Sequence, residues 1–139
     1  MHFIIPGDPT GKGRPQFSTV NGHAVARTPK KTRDYEAFVK MCYLNSASKL
    51  DFIDGYVYAQ IDCFYAIPKS YSKKKRQLIE AGLMFPDKKP DCDNIAKGIL
   101  DALNGIAYND DKQVIELHVY KRFTERPRVE VTIKELTVD

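Results

Sequence analysis

Polar and apolar residues along this chain fall into two rhythms, one with the period of a strand and one with the period of a helix. Val57, Ala59, Ile61, Cys63, Tyr65 and Ile67 take every second position, the pattern of a half-buried strand, and Pro68 ends it. Ile115, Leu117 and Val119 alternate in the same way, as do Val129, Val131 and Ile133. These last two strands are expected to form an antiparallel hairpin around Glu125-Arg126-Pro127. Phe3-Ile4-Ile5 reads as a further short strand. Gln16 to Thr19 and His23 to Arg27 flank Asn21-Gly22, a dipeptide suited to the two positive-φ positions of a tight hairpin turn.

The helical rhythm appears three times. Tyr35, Phe38, Val39 and Cys42 share a face and predict a helix over about 30–49, after Thr28-Pro29. Ser72 is placed to cap a short helix over 73–82, stopped by Gly82. Cys92, Ile95, Ala96, Ile99, Leu100 and Leu103 form an apolar stripe that Asn104-Gly105 would close. No repeat, low-complexity tract or linker interrupts the chain. The expectation is one α+β domain over residues 1–139, a mixed sheet packed with helices.

Composition supports that reading and narrows it. With 42% hydrophobic residues in 139, the chain can fill a core and is too apolar for global disorder. Twenty-two Lys and Arg against 18 Asp and Glu leave +4, a mild bias toward an anionic partner. No apolar run approaches the roughly 18 residues of a membrane span. The opening Met1-His2-Phe3-Ile4-Ile5-Pro6 lacks the basic region of a signal peptide. Cys42, Cys63 and Cys92 are odd in number and set in apolar patterns, which reads as free thiols of a cytoplasmic protein.

Against this basic background stands an acidic cluster. Asp91 precedes the third helix and Asp93 lies in its first turn, so both can converge where the helix dipole favours negative charge. Asp110 and Asp111 follow a short return from the other helix end. If the next strand pairs beside the helix entrance, they can close on the first two and hold Mg²⁺, which keeps water and takes phosphate oxygens. The same residues also read as a helix cap, a turn and an i, i+4 ladder of Asp93, Lys97 and Asp101, with Asp101 structural. An EF-hand is excluded because Ile95 and Ala96 stand at its fifth and sixth positions. Zinc is excluded because His and Cys show no ligand spacing.

Lys89-Pro90-Asp91-Cys92-Asp93-Asn94-Ile95-Ala96-Lys97, then Leu100-Asp101-Ala102-Leu103-Asn104, then Asn109-Asp110-Asp111-Lys112-Gln113-Val114 resembles the RusA family of Holliday junction resolvases. The Gly11-Lys12-Gly13-Arg14-Pro15 and Thr28-Pro29-Lys30-Lys31-Thr32 segments resemble its phage and prophage members, so the likeness spans nearly the whole chain. The resemblance implies a homodimeric, Mg²⁺-dependent endodeoxyribonuclease of a bacterial or prophage genome. Such an enzyme resolves four-way or branched DNA by paired nicks in recombination and repair. It implies one or two Mg²⁺ per subunit, with Mn²⁺ as a substitute. It assigns Asp91, Asp93 and Asp111 as ligands, Lys97 as the catalytic lysine and Asp110 as a further candidate ligand. Family members often carry Arg just before the first Asp, where this chain has Lys88-Lys89-Pro90. Which cation meets the phosphate there stays open.

Basic segments complete the picture. Lys12, Arg14, Lys30, Lys31, Lys73, Lys74 and Lys89 are candidates for DNA phosphates, with a solvated face as the plain alternative for the 73–76 run. Tyr71 and Tyr108 are the tyrosines placed to reach DNA. The segment Gly7 to Gly13 is not a P-loop: three residues, not four, precede Gly11-Lys12, and Gly13 replaces the Mg²⁺-binding Ser or Thr. No nucleotide cofactor is therefore expected. A non-catalytic junction binder and a nuclease of broader branched or flap preference remain as alternatives.

Overall fold

The computed structural model describes residues 1–13, 15–46 and 52–137. Its strands are β1 (His2–Pro6), β2 (Gln16–Val20), β3 (His23–Arg27), β4 (Tyr56–Ala66), β5 (Val114–Thr124) and β6 (Arg128–Leu136). Its helices are α1 (Lys30–Leu44), α2 (Lys73–Glu80) and α3 (Cys92–Ala102), with a 3-10 turn at Asp111–Gln113. A four-stranded mixed sheet runs β1-β6-β4-β5, and β2 and β3 form a separate two-stranded ribbon. The α+β class expected from the sequence is the observed one.

Strand β4 is central, and its alternation is complete: Val57, Ala59, Ile61, Cys63 and Tyr65 are buried while the residues between them are not. Phe3 and Ile5 from β1 and Val129, Val131 and Ile133 from β6 share that buried face. Two helices cover it. α1 contributes Val39 and Tyr43, and α3 contributes Ile95, Ala96, Ile99, Leu100 and Ala102. The opposite face of β4 carries a polar ladder in which Tyr58 donates to Gln60 and Gln60 to Asp62.

One expectation fails. β5 and β6 do not form a hairpin: β5 pairs parallel with β4, and β6 pairs antiparallel with its other edge. A strand buried at alternate positions along its whole length is stabilised by ladders on both sides, and β4 takes the space between the other two. β5, which has no fully buried residue, goes to the edge. Its alternation is also broken. The register steps from Val57↔Val114 to Tyr58↔Glu116, so Ile115 is an extra, unpaired residue of a bulge and is exposed.

Helix ends also differ from expectation. α1 stops at Leu44, where the Asn45 N–H closes back on Met41 and Tyr43, and the rest of the expected 47–49 extension lies outside the described residues. α2 is capped as expected, with Ser72 Oγ accepting from Lys75 N at 3.2 Å. α3 ends at Ala102 with Leu103 as its C-cap, and Gly105, at φ +80°, makes the turn beyond it. No helix among the described residues is long and apolar enough to cross a membrane.

Candidate active site at the entrance of helix α3

Helix α3 is a core helix with a charged rim. Its apolar stripe locks it onto the sheet, and this fixes the direction in which Asp93, Lys97 and Asp101 leave the other side. At its N-terminus Asp91 occupies the cap position with extended backbone (φ −70°, ψ 156°), yet its carboxylate caps nothing. Among the described residues neither the Asp91 nor the Asp93 side chain has a hydrogen-bond or ion-pair partner. An Asp there that only stabilised the helix would accept from an early backbone N–H. The capping alternative for Asp91 is therefore absent from this geometry.

The loop that presents Asp91 is held from beneath. Tyr65 Oη, at the end of β4, donates to Pro90 O at 3.0 Å, and Lys121 Nζ donates to Lys88 O at 2.6 Å. The peptide between Lys89 and Pro90 is cis. From above, Gly11 and Lys12 lie across the first turns of α3, with Lys12 N donating to Asn94 O at 3.3 Å. A Cβ on Gly11 would stand 2.6 Å from Asn94 Nδ2 and 2.8 Å from Pro90 Cβ, so only glycine lets the loop approach this closely.

Asp110 and Asp111 are set by a turn of their own. Asp110 Oδ1 accepts from Lys112 N at 2.9 Å, and Gln113 Oε1 accepts from Asp110 N at 3.0 Å, a reciprocal capping box. Gln113 Nε2 then donates to Ile53 O and Gly55 O at 3.0 and 2.9 Å, pinning the turn beside the start of β4. The D-x-x-Q spacing was a readable capping signal that the sequence reading passed over.

This turn brings Asp111 to α3. Asp93, Lys97 and Asp111 line one open cleft of about 320 Å³, with Leu117 of β5 at its wall. Asp91 lines the neighbouring cleft of about 540 Å³, together with Lys31, Lys89 and Asn94. Asp93 and Asp111 thus share a cleft with the lysine, and Asp91 stands in the one next to it. Among the described residues no group of three or more His, Cys, Asp or Glu stands close enough to form a full cation cage.

Charge in the first cleft is crowded. The Asp111 carboxyl is pushed up to about 6, first by hydrogen bonding with Asp101, then by burial and by Asp110. Burial would raise Asp101 as well, but the Lys12 and Asp111 hydrogen bonds and the Lys12 and Lys97 charges outweigh it and hold Asp101 below the usual carboxylate range. Lys12 Nζ bonds Asp101 and pairs with Glu36 of α1 at 3.5 Å. Lys97 Nζ lies 3.9 Å from Asp101, and its side chain is 65% exposed. Asp101 therefore does more than close a surface ladder. It ties the N-terminal loop to α3 and faces Asp111.

The other sequence candidates disperse. Lys12 points into its ion pairs, and Arg14 lies outside the described residues. Lys30 lines a separate cleft with Gln16, Arg27, Thr28 and Arg33. Lys73 and Lys74 are exposed on α2 and line neither carboxylate cleft. Tyr108 is fully buried with its hydroxyl on Leu100 O at 2.7 Å, which removes it from any DNA surface. Tyr71 packs edge-on against Phe123 beneath the Lys75 ammonium.

The family model described as Endodeoxyribonuclease RusA matches residues 6–134. The chain is 39% identical over 139 residues to the uncharacterized protein YqaN of Bacillus subtilis (strain 168), covering 99% of this chain and 97% of that one. The matched span runs from the end of β1 to within β6, and includes Asp91, Asp93, Lys97 and Asp111. The chain belongs to the RusA endodeoxyribonuclease family.

Proposed function

We propose that the protein is a Mg²⁺-dependent endodeoxyribonuclease that resolves four-way DNA junctions by paired, symmetric nicks, in recombination and repair. The observation that carries this reading is the cleft shared by Asp93, Lys97 and Asp111, with Asp91 and three further lysines in the cleft beside it.

The donor chemistry fits the cation. Mg²⁺ is held in phosphoryl-transfer sites by one or two carboxylates, with water and substrate phosphate oxygens completing its shell. Two carboxylates in an open cleft match that need better than a closed cage would. Asp93 and Asp111 would hold the ion, Asp91 would join from the adjacent cleft, and Asp110 is a further candidate beside Asp111. When bound, the ion supplies a hydroxide-like nucleophile and a Lewis acid for the phosphate.

The remaining steps belong to the chain. Lys97, one turn beyond Asp93 and largely exposed beside its long 3.9 Å pair with Asp101, would meet a phosphate oxygen and stabilise charge developing on it. Lys89 fits the place of the family's Arg, because it lines the Asp91 cleft while the Lys88 ammonium packs 5.7 Å over Tyr65. Lys31 and Lys89 would hold the strand by its phosphates. Two incisions on opposed strands need two sites related as the junction is, so the active form would be a twofold homodimer.

Incubation with a four-way junction, a replication fork and linear duplex, with and without Mg²⁺, tests this. Mg²⁺-dependent nicking of the junction alone is expected. Equal cleavage of the fork would overturn junction selectivity, and binding without nicks would assign a non-catalytic junction binder. Asp93→Asn and Asp111→Asn should each abolish nicking and keep junction affinity. Wild-type cleavage by either variant removes that residue from the scheme.

A further inference from the structure

The ribbon β2–β3 has no part in the core. All five residues of β2 are exposed, and so are those of β3 apart from partly buried Val25. A two-stranded ribbon with no fully buried side chain is marginal in water. Here the Asn21-Gly22 turn, with φ at +51° and +78°, gives it the stiffness a hairpin can have unaided. Its pairings separate the two faces. Gln16 opposite Arg27, Ser18 opposite Val25 and Val20 opposite His23 lie on one face; Phe17 opposite Ala26 and Thr19 opposite Ala24 lie on the other. The first face bears nearly all the hydrogen-bonding side chains.

That polar face is continuous with positive charge. Gln16 and Arg27, at the ribbon's base, line one open cleft with Lys30 and Arg33 from the first turn of α1. Lys31, from the same turn, lines the cleft that holds Asp91. From Pro9 to Arg33 the sequence has six Lys and Arg and no Asp or Glu. Since the whole chain is only +4, this segment carries more than its net charge, and an acidic protein surface is not needed to explain a partner when the known family substrate is a polyanion. Five residues of strand give an arm about 16 Å long and two strands wide, a size the major groove of duplex DNA admits.

We propose that the β2–β3 ribbon is a second DNA-binding element, which seats its Gln16/Ser18/His23/Arg27 face in the groove of a duplex arm. Lys30 and Arg33 clamp the flanking phosphates at its base, and Lys31 marks the route of the strand from the ribbon to Asp91. The inference rests on the proposed nuclease function and deepens it: the ribbon grips the arm, and the clefts of α3 cut.

The test is anisotropy titration of a labelled four-way junction in EDTA, where nothing is cut, at several KCl concentrations. Gln16→Ala with Arg27→Ala should weaken binding about tenfold and lower the salt slope by about one, the loss of one cation from the DNA surface. Thr19→Ala, on the other face, should bind as wild type. A second variant replaces residues 17–26 by two glycines. Because no ribbon side chain is fully buried, it should keep the wild-type thermal midpoint and show at least the same loss of affinity. If wild type binds the junction and both ribbon variants bind equally well, the ribbon assignment is overturned and the nuclease reading stands. If wild type binds no DNA, both are overturned.

Discussion

Two aspartates that face each other cannot both be comfortable as anions, and the pH dependence of this protein should report it. Asp111 is raised from 3.8 to about 6, chiefly by its hydrogen bond with Asp101. A raised carboxyl binds its proton more tightly folded than unfolded. The resulting stability is full below pH 3.8 and is lost as pH rises through about 6. Above that, Asp111 is ionised against its neighbours. Asp111→Asn should therefore be more stable than wild type at pH 7.5, by on the order of 1 kcal/mol once solvent screening is allowed for. Urea denaturation across pH should show the gap closing toward pH 4. Lys12 behaves oppositely. Its Asp101 bond raises it above the ordinary lysine value, and Lys12→Ala would leave the Glu36 carboxylate, 22% exposed, without its cation and Asp101, 18% exposed, with only the 3.9 Å Lys97 pair. The expected loss is about 2 kcal/mol, less than for a fully buried pair, and Asp101→Asn in the same chain should recover part of it.

At the level of elements, two glycines of the loop-on-helix contact make a matched experiment. Gly11 has no room for a methyl group, which would drive against Asn94 and Pro90; Gly98, inside α3, would place one at an ordinary 3.7 Å from Lys12. Gly11→Ala should destabilise by about 1–3 kcal/mol and shift the loop from the α3 entrance. Gly98→Ala should stabilise by up to about 1 kcal/mol, since it restores helix propensity at no steric cost. Thermal unfolding of the two variants separates them by sign. Neither effect was readable from the sequence, where both are simply Gly. What the sequence did reveal were features fixed by local periodicity: the buried face of β4, the stripe of α3 and the Asn21-Gly22 ribbon. Pairing was less visible. Alternation at Ile115, Leu117 and Val119 says that a face is apolar, not which strand lies beside it, and the bulge at Ile115 spoils even the face. The neglected clue was the connection: residues 67–113, with two helices, make a crossover of the kind parallel β4 and β5 require. The site divides likewise. Asp91, Asp93, Lys97 and Asp111 were legible as candidates because a motif names them. Tyr65, Gln113 and the Lys12–Asp101 pair were not, because each acts across more than twenty residues of chain or through backbone atoms.

For the whole molecule the proposed function raises the question of how a 15.9 kDa chain, with one pair of carboxylate clefts among its described residues, would cut two strands. A single copy would have to release and rebind between incisions, and the first product, a nicked junction, relaxes and loses the symmetry that guides the second cut. Two copies related by a twofold axis present both sites at once. Sedimentation equilibrium should therefore give twice the chain mass at working concentration. The functional consequence can be separated from mere association by mixing. Wild type and Asp111→Asn in equal amounts should form about half mixed dimers if subunits assort freely. On a supercoiled plasmid with an extruded cruciform, a wild-type dimer cuts twice within one encounter and yields linear DNA. A mixed dimer has one working site and yields a nicked circle. The expected result is a rise in nicked circles at the expense of linear product, beyond what dilution of wild type alone gives. If the linear fraction per active subunit does not change on mixing, the two incisions are independent, and a monomer suffices.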